Sequence, residues 1–211
     1  MRPALKLELK AETPLSALVL AGGASRRMDG RDKGLEPFLG QPMVSHVIEA
    51  LAPSVAELVI VANRHLDAYR GLGHRTITDP DRVRRGPAAA VHAAMGRLRH
   101  DWVLLAPCDT PHYRPQWPAR LIARQRATGA PVVIADDGHR LQPGVALFHV
   151  PSLRRQRVGP VPERLTDLLT GGPHACCDLS EDRNAFLNVN TRIDLLRESA
   201  MPGLGIGRSD S

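Results

Sequence analysis

Four short apolar runs recur along this chain: ALVLA at 17–21, LVIVA at 58–62, WVLLA at 102–106 and PVVIA at 131–135. Each is followed at once by Gly, Asn, Pro or Asp. Runs this short, rich in Val and Ile and apolar at consecutive positions, fit strands covered on both faces, as in a parallel sheet. Two further strand candidates are 76–78 and 145–149. Helical patterns lie between and after them: 43–51, where Val44, Val47, Ile48 and Leu51 share a face, then 87–98, 115–128, and 191–199 behind Asn190 as a cap. Strand and helix in alternation predict right-handed βαβ units, an α/β class and a doubly wound sheet.

Such sheets bind ligands beyond the carboxyl ends of their strands. Four of the predicted strands lead to polar or glycine positions there: the Gly22-Gly23 pair, Asn63, Asp79 and Asp109. In a parallel sheet these positions converge on one edge. The chain is expected to form a single domain over 16–198, between a flexible N-terminal extension at 1–15 and a flexible tail at 199–211, because both ends lack periodicity. Residues 151–172, with RRQR and GPVPERL, read as a surface connection plus one short helix.

Composition excludes several classes. Cysteines occur only at 108, 176 and 177, an odd number without C-x-x-C spacing, so neither a disulfide framework nor a zinc site is expected. No apolar stretch approaches the roughly 20 residues that span a bilayer, and the first fifteen residues lack a signal-peptide core, so a cytoplasmic, membrane-free protein is expected. The net charge is +6 and almost all of its basic side is Arg, since Lys occurs only at 6, 10 and 33. Neither aromatic interleaving nor a helix-turn-helix or RNP pattern accompanies that charge, which argues against nucleic-acid binding.

The densest chemistry lies in LAGGASRRMDGRDKG, residues 20–34, directly after the first apolar run. A glycine pair behind a buried strand lets backbone N–H groups approach an anion that a Cβ would hold off, and Arg26, Arg27, Arg31 and Lys33 add charge. The segment suits phosphate. It is not a Walker A loop, because no G-K-[ST] follows, and it lacks G-x-G-x-x-G.

The same segment resembles the signature of sugar-nucleotide-pyrophosphorylase-like nucleotidyltransferases, roughly L-A-G-G-x-x-x-R-M-G-x-x-K. The glycine pair, Arg27, Met28, Gly30 and Lys33 fall at matching positions, and Asp29 departs from the pattern. In order along the chain, GQPMVSHVIEAL, VIVANR, DPDRVRRGPAAAVHAAM, LLAPCDTPHY and FLNVNTRIDL then resemble the molybdenum cofactor guanylyltransferase (MobA) family over about residues 16–198. Ala90 is a second departure, in GPAAA where the family more often has G-P-L-A-G.

This resemblance implies a three-layer, mostly parallel Rossmann-like sheet flanked by helices, of the nucleotide-diphospho-sugar transferase type. It also implies transfer of GMP from GTP to molybdopterin cofactor, with pyrophosphate released and Mg²⁺ required. Leu20, Ala21, Gly22 and Gly23 would line the GTP site, Lys33 would contact phosphate, Asn63 and Asp79 would bind the nucleoside part, and Asp109 would hold the metal. Lys33, Arg27 and Asp109 would carry catalysis, and Asn188 and Asn190 would face the acceptor. The implied partners are GTP and molybdopterin cofactor, with transient contacts to molybdoenzymes or cofactor-delivery proteins and a monomeric state.

Residue chemistry agrees with that reading. Nucleotidyl transfer depends on positioning and charge neutralisation rather than covalent help from the protein. A phosphate acceptor with a second pKa of about 6 is already an anion at neutral pH and needs no general base. Blander readings stay open for single residues: Gly22-Gly23 as a plain turn, Asp79 and Asp109 as turn starters before proline, Asn63, Asn188 and Asn190 as caps, and Cys108 as a packing residue. An alternative function is a related nucleotidyltransferase using CTP or another NTP, with molybdopterin or a sugar phosphate as acceptor.

Overall fold

The structure, a computed structural model, describes residues 7–21, 32–78, 86–156 and 159–186. Its centre is a seven-stranded sheet in the order β5-β4-β1-β6-β8-β7-β9. The strands are β1 Leu15–Leu20, β4 Glu57–Val61, β5 Arg75–Ile77, β6 Trp102–Pro107, β7 Val132–Asp136, β8 Leu141–His149 and β9 Ala175–Asp178. A two-residue hairpin, β2 Pro37–Phe38 with β3 Gln41–Pro42, stands apart from it. The six described α-helices are α1 Met43–Leu51, α2 Leu66–Arg70, α3 Pro87–Met95, α4 Trp117–Thr128, α5 Val150–Gln156 and α6 Leu165–Thr170.

Period-two side-chain direction explains why the apolar runs have no polar face. In β1, Ala17 and Val19 join one core with Leu58 and Ile60 of β4 and Leu104 and Ala106 of β6. Leu18 joins the other core with Val59, Val61, Val103 and Leu105. The first core is covered by α1, α2 and α4 through residues such as Val47, Leu51, Tyr69, Trp117 and Leu121. The second is covered by α3, α5 and α6 through Val91, Met95, Leu153 and Leu169. Helix, sheet and helix make the three layers expected from the sequence.

The strand candidate at 145–149 lies within β8, which runs antiparallel to both β6 and β7. Only 137–140 separate β7 from β8, too few for the crossover a parallel neighbour needs. Asp137 builds that turn: its Oδ1 accepts the N–H groups of His139 and Arg140 at 2.9 Å each, and its Oδ2 accepts Gln142 Nε2 at 2.5 Å. The other strand pairs of this sheet are parallel, β9 on β7 included.

Further differences are local. Helix α1 has the expected bounds, whereas α3 stops at Gly96 rather than continuing to 98, and α4 begins at Trp117 rather than 115. The 151–172 region contains parts of two short helices, α5 and α6, rather than one. Strand β9 and helix α2 have no counterpart in the sequence reading, because four or five residues carry too little periodicity. Residues 7–14, expected as an extension outside the domain, contact α4. Leu9 is 1% exposed within the first core, and Gln125 Nε2 and Arg126 Nε donate to the carbonyls of Leu7 and Leu9 at 2.7 and 2.9 Å. The expected helix at 191–199 and the tail at 199–211 lie outside the described residues. No helix among the described residues is long and apolar enough to cross a membrane.

Candidate nucleotide site

The parallel half of the sheet aligns its strand ends closely. Leu20 pairs with Val61 on one side and Pro107 on the other, and Val61 pairs with Ile77. The backbone continues in register one residue further: Ala21 N donates to Val61 O at 2.8 Å, Cys108 N to Leu20 O at 3.0 Å, and Ala62 N to Ile77 O at 3.0 Å. Leu20 and Ala21, both half-buried, thus lie at the centre of the carboxyl edge, with Asn63 leaving β4 on one side and Asp109 leaving β6 on the other. Asn63 is exposed and begins an open depression of about 510 Å³ that continues along Arg64, His65, Leu66, Asp67 and Ala68.

Lys33 reaches the same edge from a 3-10 turn, Lys33–Leu35. Its Nζ lies 3.4 Å from Asp109 Oδ2, with side chains 18% and 22% exposed. That is a partly exposed and partly screened ion pair. Asp32 caps the turn by accepting Gly34 N–H at 3.2 Å, and the Tyr69 hydroxyl donates to the same Asp32 oxygen at 2.5 Å. Burial pushes the Cys108 thiol well up, and the Asp109 and Asp32 carboxylates add to the shift. Cys108 is therefore a protonated packing residue beside the site.

Of the residues marked by sequence, the structure brings together Leu20, Ala21, Lys33 and Asp109, with Asn63 on the adjoining strand end. Gly22, Gly23, Arg26, Arg27, Met28, Asp29, Gly30, Arg31, Asp79, Asn188 and Asn190 lie outside the described residues. Sequence reading missed Asp32 and Tyr69. Two signals were available: an Asp directly before Lys33-Gly34, in the position of a cap, and one of only two tyrosines in a chain poor in aromatics.

The mostly parallel α/β sheet has counterparts among solved proteins. Molybdopterin-guanine dinucleotide biosynthesis protein A from Archaeoglobus fulgidus superposes with a TM-score of 0.70 at 21% identity, covering 88% of this chain and 97% of that one. A CMP:2-keto-3-deoxy-manno-octonic acid synthetase in complex with CTP gives 0.70 at 16% identity, over 89% and 98%. At such identities the likeness is one of fold, and the class it defines is a three-layer α/β protein with a mostly parallel sheet. The chain belongs to the MobA-like NTP transferase family, whose domain matches residues 17–166. Among its relatives, the molybdenum cofactor guanylyltransferase of Shewanella loihica is 38% identical over 180 residues, covering 84% of this chain and 91% of that protein. The protein of the same name from Shewanella woodyi is 38% identical over 188 residues, with the same coverage.

Proposed function

We propose that this protein transfers GMP from GTP to the terminal phosphate of molybdopterin cofactor, forming its guanine dinucleotide form and releasing pyrophosphate. Family membership and the names of relatives at 38% identity support the reaction. The observation that carries the chemistry is the opposition of Lys33 and Asp109 at 3.4 Å on the carboxyl edge of the sheet. In the reaction, an acceptor phosphate oxygen forms a bond to the α-phosphorus as the bond to the β-phosphate oxygen breaks. Both reactants are anions, so the barrier is largely repulsion.

Lys33 supplies a fixed positive charge where the phosphates would gather, without reorganising during the reaction. Asn63 and the depression behind it offer the polar wall for the nucleoside, and Leu20 and Ala21 form the floor. On the sequence pattern, Gly22, Gly23 and Arg27 would complete the phosphate wall, Asp79 the nucleoside wall, and Asn188 and Asn190 the acceptor side. Enzymes of this class typically use a divalent metal, and Mg²⁺ fits the residues present. Asp109 is a partly exposed carboxylate, the donor type a hard cation takes, and no cluster of three ligating side chains occurs among the described residues. That donor set suits an ion shared by one carboxylate, substrate phosphates and water. Bound there, Mg²⁺ would offset charge on the phosphate oxygens.

We take residues 16–198, with residues 7–14 packed against α4, as one transferase domain working as a monomer, with transient contacts to molybdoenzymes or cofactor-delivery proteins. The test incubates the protein with Mg²⁺, molybdopterin cofactor and α-labelled GTP, with α-labelled CTP in parallel. Label from GTP in a dinucleotide is expected. Label from CTP alone, or from neither, overturns the reading.

A further inference from the structure

Asp32 is 8% exposed, and two donors meet at its Oδ1. One is the N–H of Gly34, which closes the turn that carries Lys33. The other is the hydroxyl of Tyr69, a fully buried side chain on α2, 37 residues away. Among the described residues, the buried Oδ2 of Asp32 has no hydrogen-bond partner. Keeping a carboxylate in such a place is costly, and an apolar pair of similar volume would pack without that penalty.

Gly34 explains how tightly the turn is gripped. A Cβ there would stand 2.5 Å from the Tyr69 hydroxyl oxygen and 3.2 Å from Cys108 Cβ and Sγ. The backbone next to Lys33 is thus wedged between α2 and the end of β6. Helix α2 follows directly on the Asn63 depression, and Asp109 follows directly on Cys108.

We propose that Asp32 and Tyr69 form a positioning pair: their hydrogen bond holds the backbone of the Lys33 turn so that the ammonium stays opposite Asp109, and it ties that geometry to the segment lining the Asn63 depression. Neither residue needs to touch substrate. The role in transfer rests on the function proposed above, and the effect on Lys33 does not.

The chain's only lysines are at 6, 10 and 33, so acetic anhydride labelling resolved by peptide mass reads Lys33 against Lys10 as internal reference. Tyr69→Phe keeps the ring and removes the hydroxyl that donates to Asp32. It is expected to speed Lys33 labelling relative to Lys10 by about threefold or more, by loosening the turn. It should lower kcat of GMP transfer by about 10- to 100-fold while KM for GTP stays within about threefold. In a Lys33→Ala background, Tyr69→Phe should cost little more, because the pair acts through Lys33. Unchanged Lys33 labelling, or the same fractional loss of kcat in both backgrounds, overturns the proposal. If Tyr69→Phe does not fold, Asp32→Ala, which removes the acceptor shared by Tyr69 and Gly34, undergoes the same tests. If the wild-type protein transfers no GMP, the proposed function falls and the labelling ratio alone decides on the pair.

Discussion

Lys33 Nζ and Asp109 Oδ2 lie 3.4 Å apart although 76 residues separate them in the chain. The contact exists because β1 and β6 are neighbours in the sheet, so the segment after β1 and the residue after β6 leave from adjacent strand ends.

Lys33→Ala is expected to lower kcat for GMP transfer about 100- to 1,000-fold, the scale of removing one fixed charge-stabilising group. The melting temperature should move by no more than a degree or two, since the lost ion pair is partly exposed and contributes little to folding. Steady-state kinetics beside a thermal melt checks both halves.

Asp109→Asn should keep the fold and raise the Mg²⁺ concentration for half-maximal rate by at least about tenfold, because a neutral oxygen holds a hard cation more weakly. A metal titration of the initial rate reads this directly. An unchanged metal requirement would remove Asp109 from the proposed metal site.

Gly34→Ala would place its Cβ 2.5 Å from the Tyr69 hydroxyl oxygen. Tyr69 is fully buried and hydrogen-bonded, so it has little room to move aside. Overpacking of this kind costs about 1–3 kcal/mol, measurable by urea denaturation. Transfer activity at a temperature where the variant remains folded should also fall, as the Lys33 turn shifts.

The opposite edge of the sheet holds a buried carboxylate, Glu57, which accepts Ser16 Oγ at 2.6 Å, Arg99 N at 2.8 Å and Arg75 Nη1 at 3.1 Å. Burial by itself would raise its pKa, but the Ser16, Arg99 and Arg75 interactions outweigh that and hold it below the usual carboxylate value. A depressed pKa in the folded state means that the unfolded chain binds the proton more readily. Glu57 therefore adds stability above the unfolded value of about 4.3, and this is lost as pH falls through the lower folded value. Glu57→Gln should cost about 1–3 kcal/mol at pH 7 and flatten the decline of melting temperature below about pH 4.5.

The apolar runs and their terminators were enough to read off a doubly wound α/β sheet and an edge for Gly22-Gly23, Asn63, Asp79 and Asp109, of which Asn63 and Asp109 are among the described residues. Strand period and the turn chemistry at strand ends are local properties written residue by residue. Lys33 was also legible, because its spacing from the glycine pair is a local pattern. Strand β9 and helix α2 were not, being too short to show a period.

The sequence by itself determined which segments are buried on two faces and which residue types stand at their ends, since burial preference and turn chemistry act over a few neighbours. Only the tertiary structure decided that β8 runs backwards, that Tyr69 donates to Asp32, and that Lys33 faces Asp109. Those contacts depend on the order of strands in the sheet and on the packing of α2 against the turn. Both are collective results of filling one core, and no short window of sequence contains them.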